Sequence, residues 1–178
     1  MPAAGFPGND ILFTTGLNGT GLAAGFPVGR ISAESTSILE AYFEKVKEME
    51  SIPHDALWRK ELVHLSGGSD LFQQGIFRRY VDGFKAVAEG AILGGNVVTI
   101  SKEGNSAPSQ FSISEYVNAG KMLITFFGHS ATATADIDIG YASNPGFGYS
   151  NKGKYPMMIV NGCLAGDMYN TGFGFGED

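Results

Sequence analysis

Lys121-Met-Leu-Ile-Thr-Phe-Phe-Gly-His-Ser130 is the stretch on which the fold turns. Met122–Phe127 is apolar apart from one threonine and too short for an ordinary helix, so it reads as a strand buried on both faces. Gly128 breaks it and a histidine follows. Met157-Met-Ile-Val-Asn-Gly-Cys163 repeats the pattern: an apolar strand, a glycine, then a side chain able to do chemistry. Continuous apolar strands, rather than alternating ones, mark a parallel or mixed sheet with helices on both faces. In open α/β sheets, ligand sites form beyond the carboxyl ends of the strands. Neighbouring strands lie about 4.8 Å apart. As parallel neighbours, these two would bring His129 and Cys163 to one small site.

Working outward, Tyr155–Val160 extends the second strand, and Glu61–Leu65 and Asn96–Ile100 read as two more. Between them lie helical patterns. Ile38, Leu39, Tyr42, Phe43, Val46 and Met49 recur at helical spacing, with Ser32 as a candidate cap and Pro53 as the stop. Asp70 to about Glu89 carries Leu71, Phe72, Ile76, Phe77, Tyr80, Val81, Phe84 and Val87 on one broad face. Ser112–Ala119 predicts a short helix. The first 29 residues, rich in Gly, Pro and Asn, read as turns around two extended pieces, Ile11–Thr15 and Phe26–Ile31. With no repeat and no low-complexity linker, a single domain over 1–178 is the simplest organisation.

Composition narrows the class. The chain has 178 residues, 43% hydrophobic and 17% charged, enough for a real core. The formal charge of −6 and the absence of a Lys/Arg cluster argue against nucleic acid or an anionic membrane surface as partner. No apolar run approaches the ~18 residues of a membrane span, and the first residues lack the basic and apolar regions of a signal peptide. The 26 glycines, without a collagen period, point to many tight turns.

The single cysteine excludes an intramolecular disulfide and leaves a free thiol. A thiol beside an imidazole is a nucleophile with its proton carrier. Alone, Cys163 would pass for a small buried hydrophobe and His129 for a turn residue. Their matching places at two strand ends favour the pair. His precedes Cys, the reverse of papain-like enzymes and the order of caspase-type ones, whose histidine lies about 50 residues upstream; here the connection is shorter. His54, in a loop after Pro53, and His64, inside a β run, are weaker candidates. Asp70 could orient His129, and it could equally cap the helix that starts there. Asp136 and Asp138 could bind Ca²⁺ or meet a basic substrate side chain. Two carboxylates fall short of the 6–8 oxygens Ca²⁺ takes, so a solvated loop or a cap is the simpler reading. Asn18-Gly-Thr20 fits a glycosylation sequon and also a plain turn. Gly146-Phe-Gly148 lacks a phosphate-loop lysine.

The strings Ile124-Thr-Phe-Phe-Gly-His-Ser130, Asn151-Lys-Gly-Lys-Tyr-Pro156 and Ile159-Val-Asn-Gly-Cys-Leu-Ala-Gly166, with Val28-Gly-Arg-Ile31 and Trp58-Arg-Lys60 upstream, resemble the gingipain-like cysteine peptidases, family C25. The resemblance covers most of the chain and is strongest from Lys121 to Asp167. It implies a caspase–haemoglobinase-like three-layer α/β sandwich with a mainly parallel sheet, and a cysteine endopeptidase. His129 matches the catalytic histidine and Cys163 the nucleophile. The backbone N–H groups of Ser130 and Cys163 match the oxyanion donors, although the family often has Gly where Ser130 stands. No cofactor is implied, and Ca²⁺ would be a structural ion only. Protein or peptide substrates follow, as does a bacterial protein secreted or held at the cell surface, with links to type IX secretion. Some relatives act instead in processing, transpeptidation or surface attachment, without peptidase turnover. Against the family pattern, the chain enters partway through and stops shortly after Cys163, which implies a domain truncated at both ends.

Overall fold

The computed structural model describes residues 10–33, 35–105, 108–132 and 134–165. Among the described residues, eight strands and three α-helices follow in order: α1 (Thr36–Ser51), β1 (Glu61–Ser66), α2 (Leu71–Ala88), β2 (Asn96–Ser101), β3 (Ser109–Gln110), α3 (Ser114–Ala119), β4 (Leu123–Phe127), β5 (Ser130–Ala131), β6 (Thr134–Ala135), β7 (Ile137–Asp138) and β8 (Met157–Asn161). The central sheet is ordered β2-β1-β4-β8. Every pair in it is parallel, with Leu65 between Ile100 and Phe126, and Phe127 opposite Asn161. The short strands form two ribbons outside it: β5 with β6, and β3 with β7.

The alternation of side chains along a strand sorts the two faces. Val63, Leu65, Ile124 and Phe126 point to one side. There they build the core with Ile113, Val117 of α3, Ala135 and Ile137. The opposite face, which presents His64 and Phe127, is covered by α2. Phe77, Tyr80 and Phe84 of that helix meet Phe127 ring to ring, and Phe84 also meets His64 edge-on. The middle of the sheet is therefore covered on both sides, as continuous apolar strands require. α1 stands off the α3 side over a cavity of about 970 Å³, whose lining includes Tyr42, Met49, Val117, Ile124 and Met157.

Helix limits follow local chemistry. α1 is capped by the hydroxyl of Ser35, which accepts from the Ile38 N–H, and not by Ser32. It ends at Ile52, held extended (φ −78°, ψ 135°) in front of Pro53, which disfavours helix in the residue before it. α2 is capped by Asp70, whose carboxylate accepts from the Gln73 N–H at 2.8 Å. Near the start of the chain, Ile11–Phe13 is a 3-10 turn and not an extended piece, closed by the Thr14 hydroxyl on the Ile11 carbonyl. Phe26–Ile31 forms no strand. At the sheet edge, Met157, at 61% exposure, and Ile159 are open to solvent.

His64 is a core residue, 2% exposed, under α2. Burial lowers its pKa, a hydrogen bond with the Val81 backbone opposes that, Lys85 lowers it further and Glu89 raises it. The protonated form is therefore favoured in the unfolded chain. Native stability is independent of this group at high pH. It falls as pH drops below the unfolded histidine value of about 6.5 and levels off below the folded pKa. Urea unfolding followed by fluorescence should show a lower midpoint at about pH 5 than at about pH 7, with the difference reduced in His64→Gln.

Candidate functional site

The carboxyl ends of β4 and β8 leave the sheet side by side. Beyond the last paired residues, the Gly128 N–H donates to the Asn161 carbonyl at 3.2 Å. The Ser130 hydroxyl then donates to the Cys163 carbonyl at 2.7 Å. His129 and Cys163 thus sit on adjoining loops at one rim, and both are exposed. Gly162 makes this approach possible: a Cβ there would run into the Ser130 hydroxyl and lie 3.0 Å from its Cβ. The side chain of Ser130 therefore ties the two loops together, a contact that a glycine at that position would lack.

The His129 ring is held from the α2 side. Its Nε2 lies 2.7 Å from Gln73 Oε1, and the ring packs on Phe77 with centroids 5.3 Å apart. Gln73 Oε1 also accepts from the Ser69 N–H and hydroxyl, which fixes which end of the amide faces the ring. With an acceptor oxygen at Nε2, the neutral ring carries its proton there and leaves Nδ1 as the base. Asp70, the sequence candidate for orienting His129, instead caps the helix and fixes the Gln73 backbone. The side chain that meets the imidazole is its neighbour one turn on. A helix face beginning right after β1 was the only sequence signal for it.

The two other candidate carboxylates are engaged within the protein. Asp136 accepts from the Gly68 and His129 N–H groups, each at 2.8 Å, and pairs with Lys102 at 3.3 Å. Burial alone would raise its pKa, but the two backbone hydrogen bonds and the Lys102 ammonium outweigh it and hold the carboxyl below its ordinary value. Asp136 is thus neither a solvated loop residue nor turned outward to a cation or a substrate. Asp138 accepts from the Gly140 N–H at 2.8 Å and from the Gln110 amide. Among the described residues, no group of three or more His, Cys, Asp or Glu is placed to hold a metal ion. No helix among them is long and apolar enough to cross a membrane. His54 lines the cavity beneath α1, away from this rim.

An all-parallel central sheet with helices on both faces, ending in a histidine loop beside a cysteine loop, is the architecture of caspase-like α/β proteins. The sequence profile of Peptidase family C25 matches residues 2–178, and the chain belongs to that family. Family and fold are those of cysteine peptidases. Two solved structures share the fold. The complex of Porphyromonas gingivalis RgpB pro- and mature domains superposes with a TM-score of 0.71 at 18% identity, covering 99% of this chain and 42% of that one. The Arg-specific cysteine proteinase gingipain R (RgpB) superposes with a TM-score of 0.61 at 16% identity, covering 99% and 41%. The chain thus spans about two fifths of the length of these structures. No curated protein matches it by sequence.

The Gly162–Ser130 contact makes a direct test. Gly162→Ala should destabilise the chain by about 1–3 kcal/mol through overpacking, and Ser130→Gly should recover much of that loss. A double-mutant cycle measured by denaturant unfolding gives the coupling; additive effects would mean that the two loops do not touch.

Proposed function

We propose that this chain carries the catalytic pair of a cysteine endopeptidase, with Cys163 as nucleophile and His129 as proton carrier. The observation that supports it most is the side-by-side exit of β4 and β8. There the Ser130–Cys163 hydrogen bond sets two exposed reactive side chains on one rim. In this reading the Cys163 thiol gives its proton to His129 Nδ1 and its sulfur attacks the scissile carbonyl carbon. The oxygen takes up negative charge and is stabilised by the backbone N–H groups of Ser130 and Cys163. His129 then protonates the leaving amine as the C–N bond breaks. Water, deprotonated by the same imidazole, hydrolyses the thioester and regenerates the thiol. Gln73 keeps the second ring nitrogen protonated, so that the imidazole cycles through one orientation.

Because the chain covers less than half of its structural relatives, the whole protein's activity and substrates belong to this proposal. So does export of that protein to the cell surface or beyond by a type IX route, which rests on family resemblance alone. The residue pattern favours no particular substrate side chain. Asp136 and Asp138 are both committed to partners inside the protein.

A peptidyl acyloxymethyl ketone, which alkylates a nucleophilic cysteine only after its peptide part binds, separates catalysis from plain thiol exposure. Wild-type chain should be labelled at Cys163, Cys163→Ala not at all, and His129→Ala on the order of 10²-fold more slowly. Equal rates in wild type and His129→Ala would overturn the reading, because Cys163 would then be reacting as an ordinary exposed thiol.

A further inference from the structure

We propose that Asp136, oriented by Lys102, is the positioning residue of this site: its side-chain oxygen fixes the backbone that carries His129 and so sets the imidazole relative to Cys163. The inference rests on the peptidase reading and deepens it. Lys102 is 2% exposed and Asp136 9%, so both charges are out of water. Such a pair gives little net stability, since apolar residues of the same volume often serve as well or better. Its worth must be sought in what it holds.

It holds the ends of three neighbouring strands. Lys102 follows β2, and its N–H donates to the Ser66 carbonyl at the end of β1. Asp136 Oδ2 accepts from Gly68, beyond β1, and from His129, beyond β4. The Asp136 N–H donates back to the His129 carbonyl at 2.8 Å. Both backbone polar groups of His129 therefore go to one residue. The surrounding glycines shape a seat for the carboxylate. A Cβ on Gly67 would lie 2.6 Å from Oδ2, and one on Gly128 3.2 Å from it. With the backbone fixed in this way, the histidine side chain needs only Gln73 and Phe77 to define its place.

The substitutions follow from which atoms do the holding. Asp136→Asn keeps an oxygen for the two N–H groups but turns its NH₂ against the Lys102 ammonium, donor against donor. Adding Lys102→Met removes that clash. The pair Asp136→Leu/Lys102→Met fills the space and removes the hydrogen bonds altogether. These variants are compared with wild type by the same peptidyl acyloxymethyl ketone, with the maximal labelling rate separated from the concentration dependence, and by urea unfolding.

Wild type must first show His129-dependent labelling; if it does not, the peptidase reading fails independently of this inference. Given that dependence, Asp136→Leu/Lys102→Met should remain folded with a maximal rate on the order of 10²-fold lower and a little-changed half-saturating concentration. Asp136→Asn should be slowed, and Asp136→Asn/Lys102→Met should recover most of the rate. A wild-type maximal rate in folded Asp136→Leu/Lys102→Met overturns the inference. If that pair does not fold, the two Asn variants decide: equal rates in both overturn it, and recovery on adding Lys102→Met upholds it.

Discussion

The parallel pairing of β4 with β8 is the constraint on which the rim depends. Parallel strands deliver their carboxyl ends to the same edge of the sheet; an antiparallel partner would carry Cys163 to the far edge. Register matters as much as direction. Phe127 lies opposite Asn161, and the chains stay level for a further turn because Gly128 and Ser130 continue to donate across the gap. One residue of slip would reverse the faces of β8 and undo the Gly128 and Ser130 bonds across the gap.

Each rim of the sheet is fastened by a lysine and a carboxylate, from opposite ends. At the amino rim, Lys121, just before β4, reaches Glu61 at the start of β1 at 2.9 Å, while the Met122 N–H donates to the Glu61 carbonyl. At the carboxyl rim, Lys102 reaches Asp136. The first clamp sets where the strands begin and is partly wet on its glutamate side. The second is dry, and it holds the backbone of His129 rather than the start of a strand. The same pairing of residue types thus does two different jobs, set by solvent access.

Much of the scaffold was legible in the sequence. The strands were readable because a strand covered on both faces has no polar alternation to blur it. The helices were readable because one face is apolar at every turn; α2 lies within a residue of its expected limits at each end. The cap of α1 was misplaced by one serine, since Ser32 and Ser35 differ only in whether the hydroxyl meets a free N–H. The early extended piece was misread because its apolar residues pack no face. At the site, His129 and Cys163 stood out by position. Gln73, Lys102 and the inward turn of Asp136 did not, because each is defined by a partner far along the chain. A lysine after a strand reads as solvated, and an aspartate in an Ala- and Thr-rich loop reads the same. The glycines at 67, 68 and 128 were the readable trace, since clustered glycines mark a place that something else approaches closely.

The two layers that clad the sheet are not equally fastened. The α3 side is a hydrocarbon core of Val63, Leu65, Ile124 and Phe126 against Ile113, Val117 and Ile137. The α2 side adds polar side chains to its aromatic contacts, and His64 Nδ1, Ser66 Oγ and Thr99 Oγ1 have no protein partner there. Contacts of that kind return little free energy for the surface they cover. Opening of α2 is therefore easier than loss of β4, and amide protons in that helix exchange before those of β4. Gln73 leaves with the helix while Cys163 and the histidine backbone stay on the sheet. The rim thus passes through a state that keeps its thiol and loses the partner of its imidazole while the sheet stays whole.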